Sequence, residues 1–284
     1  MKKIKILVIV VAFIFGLVYT LNLEYFARGI RIVYLNLETT VFIDDLKYFD
    51  YETIKSPLEK SPWAESKYKT TNFSKEFEDY NKKMRTAAYV VIQNDTIIGE
   101  KYYEDYSVNS STNSFSMAKT PVSLMMAKAF EQGYINSLED KVIDYIPELK
   151  GEFANDVKII DLAAMTSGID WDEGTSNPFS PVAKQYFYED LDKLMLDQKF
   201  ITEPSKTYKY SSANTQILSM VIEKATGMKT KDYFEKEFWF KINPDNDAYW
   251  QIDSKESGNV KSFCCLHSNA RDFSRLGKLY IDNG

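Results

Sequence analysis

The pattern of apolar and polar positions is clearest near residue 90. Thr86 to Gln93 is a β-branched and apolar stretch, Asn94-Asp95 is a turn signal, and Thr96 to Glu104 is a second stretch of the same kind, so the pattern predicts a β-hairpin. Helical periodicity takes over afterwards. Val122, Met125, Met126, Ala129 and Phe130 form one apolar face of a segment that runs to Gln132 and ends at Gly133. Leu138 to Tyr145, Val157 to Met165, Gln216 to Ala225 and Lys229 to Phe240 read as further helices, and Ser268 is placed to cap one that runs through Leu276. Two strands do not make a stable sheet. Either more strands lie hidden between residues 240 and 265, or the remaining members of the sheet follow Gly284.

The amino-terminal pattern is different. Lys2, Lys3 and Lys5 precede an almost uninterrupted apolar run from Ile6 to Tyr19, extended by Leu21 and Leu23. No clear small-x-small site follows it. Residues 1–23 are therefore expected to be an uncleaved single-pass anchor with the basic end inside and the body outside, in a bacterial-type membrane with a periplasmic main domain; secretion after signal cleavage is the alternative. Residues 24–80, rich in Lys, Glu, Ser and Tyr towards their end, read as an extension and linker, and residues 81–284 as the folded domain.

Composition narrows the function. With 44% hydrophobic and 15% aromatic residues the chain can build a core, and its net charge of −6 comes without a basic stripe, which argues against nucleic acid as a partner. Cys264 and Cys265, the only cysteines, are adjacent. Neighbouring Cα atoms sit closer than an ordinary disulfide prefers, so two unpaired core thiols are expected. With His267 they lack the spacing of a zinc site, and His267 reads as a structural or surface histidine.

Candidate chemistry begins at Ser116-Met117-Ala118-Lys119. A serine hydroxyl must lose its proton as it attacks a carbonyl, and a lysine three residues along shares its helix face and can accept it when uncharged. Ser66 and Lys69 have the same spacing but lie among charges. Thr120-Pro121 reads either as a cap, leaving Ser116 and Lys119 ahead of the helix, or as part of a first turn that already contains them.

The match extends beyond this pair. Ser116 and Lys119 fit an S-x-x-K motif, Leu162 to Ile169 (LAAMTSGI) forms a recognisable following segment, and Tyr210-Ser211-Ser212, Val221-Ile222-Glu223 and Thr226-Gly227 come in order behind it. Together they resemble the serine β-lactamase and penicillin-recognising hydrolase superfamily, in particular its class C-like branch of esterases and 6-aminohexanoate-dimer hydrolases. The resemblance implies an α+β, β-lactamase/transpeptidase-like fold: a helical region plus an antiparallel sheet. The third motif of the family is absent, so the C-terminal strands of that sheet are expected to be missing and the chain to be an N-terminal fragment.

The resemblance also implies roles. Ser116 would carry the acyl group, Lys119 would act as base, and Tyr210 would relay a proton. Ser212 stands where the family has asparagine, and Ser212-Ala213-Asn214 fits an alternative S-x-N form, so Ser212 and Asn214 are possible accessory residues. Trp171 and Asp172 are possible cleft walls. No metal or organic cofactor is required. The expected substrate is a small ester, amide or peptide, with ester or amide hydrolysis favoured over β-lactam cleavage because one hydroxyl cannot replace a two-ended amide. A non-catalytic binder of peptides or cell-wall fragments, and a penicillin-binding transpeptidase or carboxypeptidase, are the alternatives.

Overall fold

The computed structural model describes residues 16, 18, 20, 23–175 and 177–282. The predicted hairpin is present as β3 (Ala88–Gln93) and β4 (Thr96–Tyr102). Asn94 and Asp95 turn it with φ of 49° and 60°, the left-handed pair that a two-residue hairpin with matching twist requires.

Helix α1 (Glu24–Ile32) opens the described body, followed by β1 (Tyr51–Ile54), β2 (Ala64–Thr70) and α2 (Lys75–Lys83). After the hairpin come β5 (Thr112–Asn113), α3 (Lys119–Glu131), α4 (Ile159–Ala163), α5 (Pro181–Phe187) and α6 (Leu191–Leu196). The chain continues through α7 (Ser212–Thr226), α8 (Thr230–Phe234), a π turn (Glu235–Trp239), α9 (Phe240–Ile242), β6 (Ala248–Gln251), β7 (Leu266–Ser268) and α10 (Ala270–Ile281). Asn269, one residue past the predicted Ser268, caps α10 by accepting from the Asp272 N–H.

The strands form two sheets. One has the order β1-β6-β7-β5 with every pairing antiparallel; the other is β2-β4-β3, with β2 parallel to β4. This corrects the expectation of an α+β fold lacking its late strands. The late strands β6 and β7 are present and occupy the middle of a four-stranded sheet. They escaped notice because AYWQ and LHS are too short to display a period of two, and because β1, within the stretch read as linker, pairs with β6 about two hundred residues away.

Helix α7 is the central element. Its residues from Ser212 to Ser219 are all buried, and it packs against α3, α4, α6 and α8. Ahead of it, Gly168 adopts φ 75° where Thr202 passes so closely that a Cβ would fall 2.0 Å from the Thr202 carbonyl oxygen, which fixes glycine in the Thr-Ser-Gly segment.

The membrane expectations need a second correction. Most of residues 1–23, where the anchor was expected, lies outside the described residues. Among the described residues no helix is long and apolar enough to cross a membrane. Helix α1 packs against α5, with Gly29 lying against the Phe187 ring and Ile32 fully buried. The single-pass, periplasmic reading with a membrane partner is therefore not retained.

Candidate active site

Ser116 lies in a single 3-10 turn, Phe115–Ala118, that runs directly into α3. Helix α3 begins at Lys119, so Pro121 falls in its first turn, where a missing N–H costs nothing. Serine and lysine straddle the junction. Lys119 Nζ is 3.2 Å from Ser116 Oγ and donates to the Phe263 carbonyl oxygen at 2.7 Å. It also sits 5.1 Å from the centroid of the Tyr210 ring. The lysine is 8% exposed, whereas Tyr210, at 38%, faces outward just ahead of α7. The structure thus brings Ser116, Lys119 and Tyr210 together.

The competing pair does not form. Ser66 Oγ accepts from the Tyr68 N–H, and hydrogen bonds to Glu65 and Glu100 hold the Lys69 ammonium above its ordinary pKa.

The remaining sequence candidates are placed otherwise. Ser212 is buried at the start of α7, where its N–H donates to Glu173 Oε2 at 2.8 Å and its hydroxyl donates to Glu173 Oε1. Trp171, only 1% exposed, donates its indole N–H to the same carboxylate at 2.7 Å and belongs to the core rather than to a cleft wall. Asp172 is exposed and accepts from the Gly174 N–H. Asn214 is buried away from the Ser116 group, accepting from Ser167 Oγ and facing the Met165 sulfur.

Sequence reading missed three supports. Glu173 carries no local sequence signal, yet its carboxylate at the N-terminus of α7 satisfies the free Ser212 N–H and suits the helix dipole. Gln216, one turn into α7, donates to the Val260 carbonyl at 3.1 Å and accepts from the Ser262 N–H at 3.0 Å, so it straps the loop that presents Phe263 to Lys119. The same loop contains Cys264 and Cys265, which are joined as a disulfide, contrary to the expectation of two free thiols.

The third support is a buried polar cluster behind the serine turn. Asp45, Asn113, Tyr186, Gln251, Lys261 and His267 are all buried. Burial raises the pKa of Asp45 against the hydrogen bonds from Tyr186, Asn113 and Gln251, and drives that of Lys261 well down. Burial, aided by nearby Lys261, lowers His267 to about 3. His267 is thus a neutral acceptor for the Gln251 amide at 3.0 Å, on the core strand β7.

Comparison with known proteins agrees with this architecture. A 6-aminohexanoate-dimer hydrolase from Paenarthrobacter ureafaciens is 23% identical over 214 residues, covering 70% of this chain and 53% of the relative; the chain spans about half that protein's length. A solved structure from Bacillus anthracis that carries the 6-aminohexanoate-dimer hydrolase name superposes with a TM-score of 0.72 at 20% identity, over 86% of this chain and 68% of the other. FmtA from Staphylococcus aureus superposes at 0.57 with 16% identity, over 75% of this chain and 68% of its own. These structural likenesses concern the fold. Residues 73–259, well over half of the chain, match the beta-lactamase family model, and the chain belongs to the beta-lactamase family.

Proposed function

We propose that this protein is a serine hydrolase that opens ester or amide bonds through an acyl-enzyme on Ser116. The observation that carries the reading is the 3.2 Å contact between Ser116 Oγ and Lys119 Nζ, in a setting where the lysine is also tied to the Phe263 carbonyl. In this mechanism the uncharged Lys119 amine takes the hydroxyl proton as Oγ bonds to the substrate carbonyl carbon. The Ser116 backbone N–H is one donor to the oxyanion that develops. As the intermediate collapses, the bond to the leaving alcohol or amine breaks, and the proton passes to that group from Lys119 with Tyr210 as relay. Water then attacks the ester on Ser116 and gives its proton to the same network; the bond from the carbonyl carbon to Ser116 Oγ breaks, that proton returns to Oγ, and the acid is released.

Two features favour a simple ester or linear amide as substrate. The Ser212 hydroxyl is committed to Glu173, so no side-chain amide stands at that position to bind both ends of a β-lactam's amide group. The curated relative is a hydrolase of an aminohexanoate dimer, which makes short linear amides a substrate class to test here. Turnover of a p-nitrophenyl ester, a linear 6-aminohexanoate dimer and a chromogenic cephalosporin by the native protein and by Ser116→Ala tests the reading. Ester or amide turnover exceeding cephalosporin turnover, and lost in Ser116→Ala, is expected. Equal turnover by Ser116→Ala contradicts it.

A further inference from the structure

The backbone that delivers Ser116 is held in an unusual conformation. Phe115, the residue before the serine, has φ 45°, a left-handed geometry that is strained for a non-glycine residue. The preceding residues are anchored as a strand: the Asn113 N–H donates to the Ile43 carbonyl and the Ser114 N–H to the Leu266 carbonyl, both at 2.9 Å. At Phe115 the strand bonds end. Its N–H donates instead to the side-chain oxygen of Asn113, at 2.8 Å.

That side chain is locked from behind. Asn113 Nδ2 donates to Asp45 Oδ1 at 3.2 Å and to the Tyr186 hydroxyl oxygen at 3.1 Å, and Tyr186 donates its own proton to the other oxygen of Asp45. Gln251 adds a further bond to Asp45 at 2.7 Å. Only one orientation of the amide satisfies this set, because turning it over would aim an N–H₂ group at the Phe115 N–H and a carbonyl oxygen at a carboxylate. Buried groups satisfied in this way resist rearrangement.

We infer that Asn113 is the positioning residue for the nucleophile: its side-chain oxygen holds Phe115 in the left-handed turn that aims Ser116 Oγ at Lys119, and Asp45 with Tyr186 fixes the amide that does so. The inference rests on Ser116 being the residue that is acylated. Asn113 takes no part in bond making. A loosened turn would leave substrate affinity intact while slowing acylation, because a displacement of about 1 Å at a reacting atom costs about 100-fold in rate.

The test is saturation kinetics with a fluorophosphonate probe, which separates noncovalent affinity from the rate of Ser116 modification, with thermal unfolding measured on each protein. Asn113→Ala is expected to lower the limiting rate about 100-fold with affinity unchanged. Asn113→Asp keeps an acceptor for Phe115 and, sharing a proton with Asp45, keeps a donor; it is expected to return to within about tenfold of the native rate. Asn113→Ser takes the place of the alanine variant should that one not fold. An alanine or serine variant within threefold of the native rate, or an aspartate variant no faster than alanine, overturns the positioning role while leaving Ser116 as nucleophile. Failure of the native protein to be modified at Ser116 overturns both.

Discussion

Replacing Lys119 by methionine isolates the base from the space it fills. The two side chains have similar length, but methionine has no nitrogen to accept the Ser116 proton across the present 3.2 Å. A well-placed general base contributes about 10²–10⁴ in rate, equivalent to about 2.7–5.4 kcal/mol of barrier. The substitution has a separate structural cost, because the Phe263 carbonyl loses the 2.7 Å bond from a lysine that is only 8% exposed. An unpaired buried carbonyl destabilises by about 1–3 kcal/mol, which for a chain of this size lowers Tm by about 2–12 °C. The two effects separate at 20 °C, where a modest Tm loss leaves the protein folded and cannot explain a rate loss of hundreds-fold. The assay is stopped-flow acylation by an activated ester, alongside calorimetry. A folded Lys119→Met protein that acylates within tenfold of the native rate refutes the role of Lys119 as base.

Other consequences follow from the supports. Gln216→Ala removes two buried hydrogen bonds to the Phe263 loop, although the Ser262 N–H keeps its bond to the Val260 carbonyl at 2.9 Å, and equilibrium unfolding in guanidinium should show a loss of about 1–3 kcal/mol; a change below about 0.5 kcal/mol would contradict the strap. His267 is the single histidine in the chain, and NMR of the untagged protein should find it neutral down to about pH 4, since its pKa is lowered to about 3. Because the unfolded chain takes up that proton near pH 6.5, His267 contributes stability that is present above pH 6.5 and lost as pH falls towards 3. Glu100 is raised by burial, but hydrogen bonds from Arg271, Tyr102 and Lys69 outweigh this and bring it down to about 2. Its contribution is therefore present above pH 4.5 and lost between 4.5 and 2, and Glu100→Gln should flatten the stability profile in that lower window only.

Local signals account for what the sequence made legible. The β3-β4 hairpin follows from Asn94-Asp95 between two β-branched and apolar stretches, and Ser116 meets Lys119 because three residues of separation bring two side chains onto one face of a turn. Helix α7 could be placed from its periodicity, but burial around nearly its whole first half follows from tertiary packing. The four-stranded sheet was not legible, since β5 is only two residues long and β7 only three, and their partners are distant in sequence. Glu173 reaches Ser212 across 39 residues, and no single-sequence pattern predicts that contact. The Asp45 cluster was hidden for a different reason: isolated Asp, Asn, Gln and Lys residues normally imply surface, and only packing shows that they satisfy one another inside.

Ser116 as the acylated residue is the central claim, and intact mass followed by peptide mapping after fluorophosphonate treatment tests it most directly. The account predicts a single adduct on the peptide containing Ser116, absent from Ser116→Ala. An adduct on Ser66, or an unmodified Ser116 in the folded protein, would contradict it.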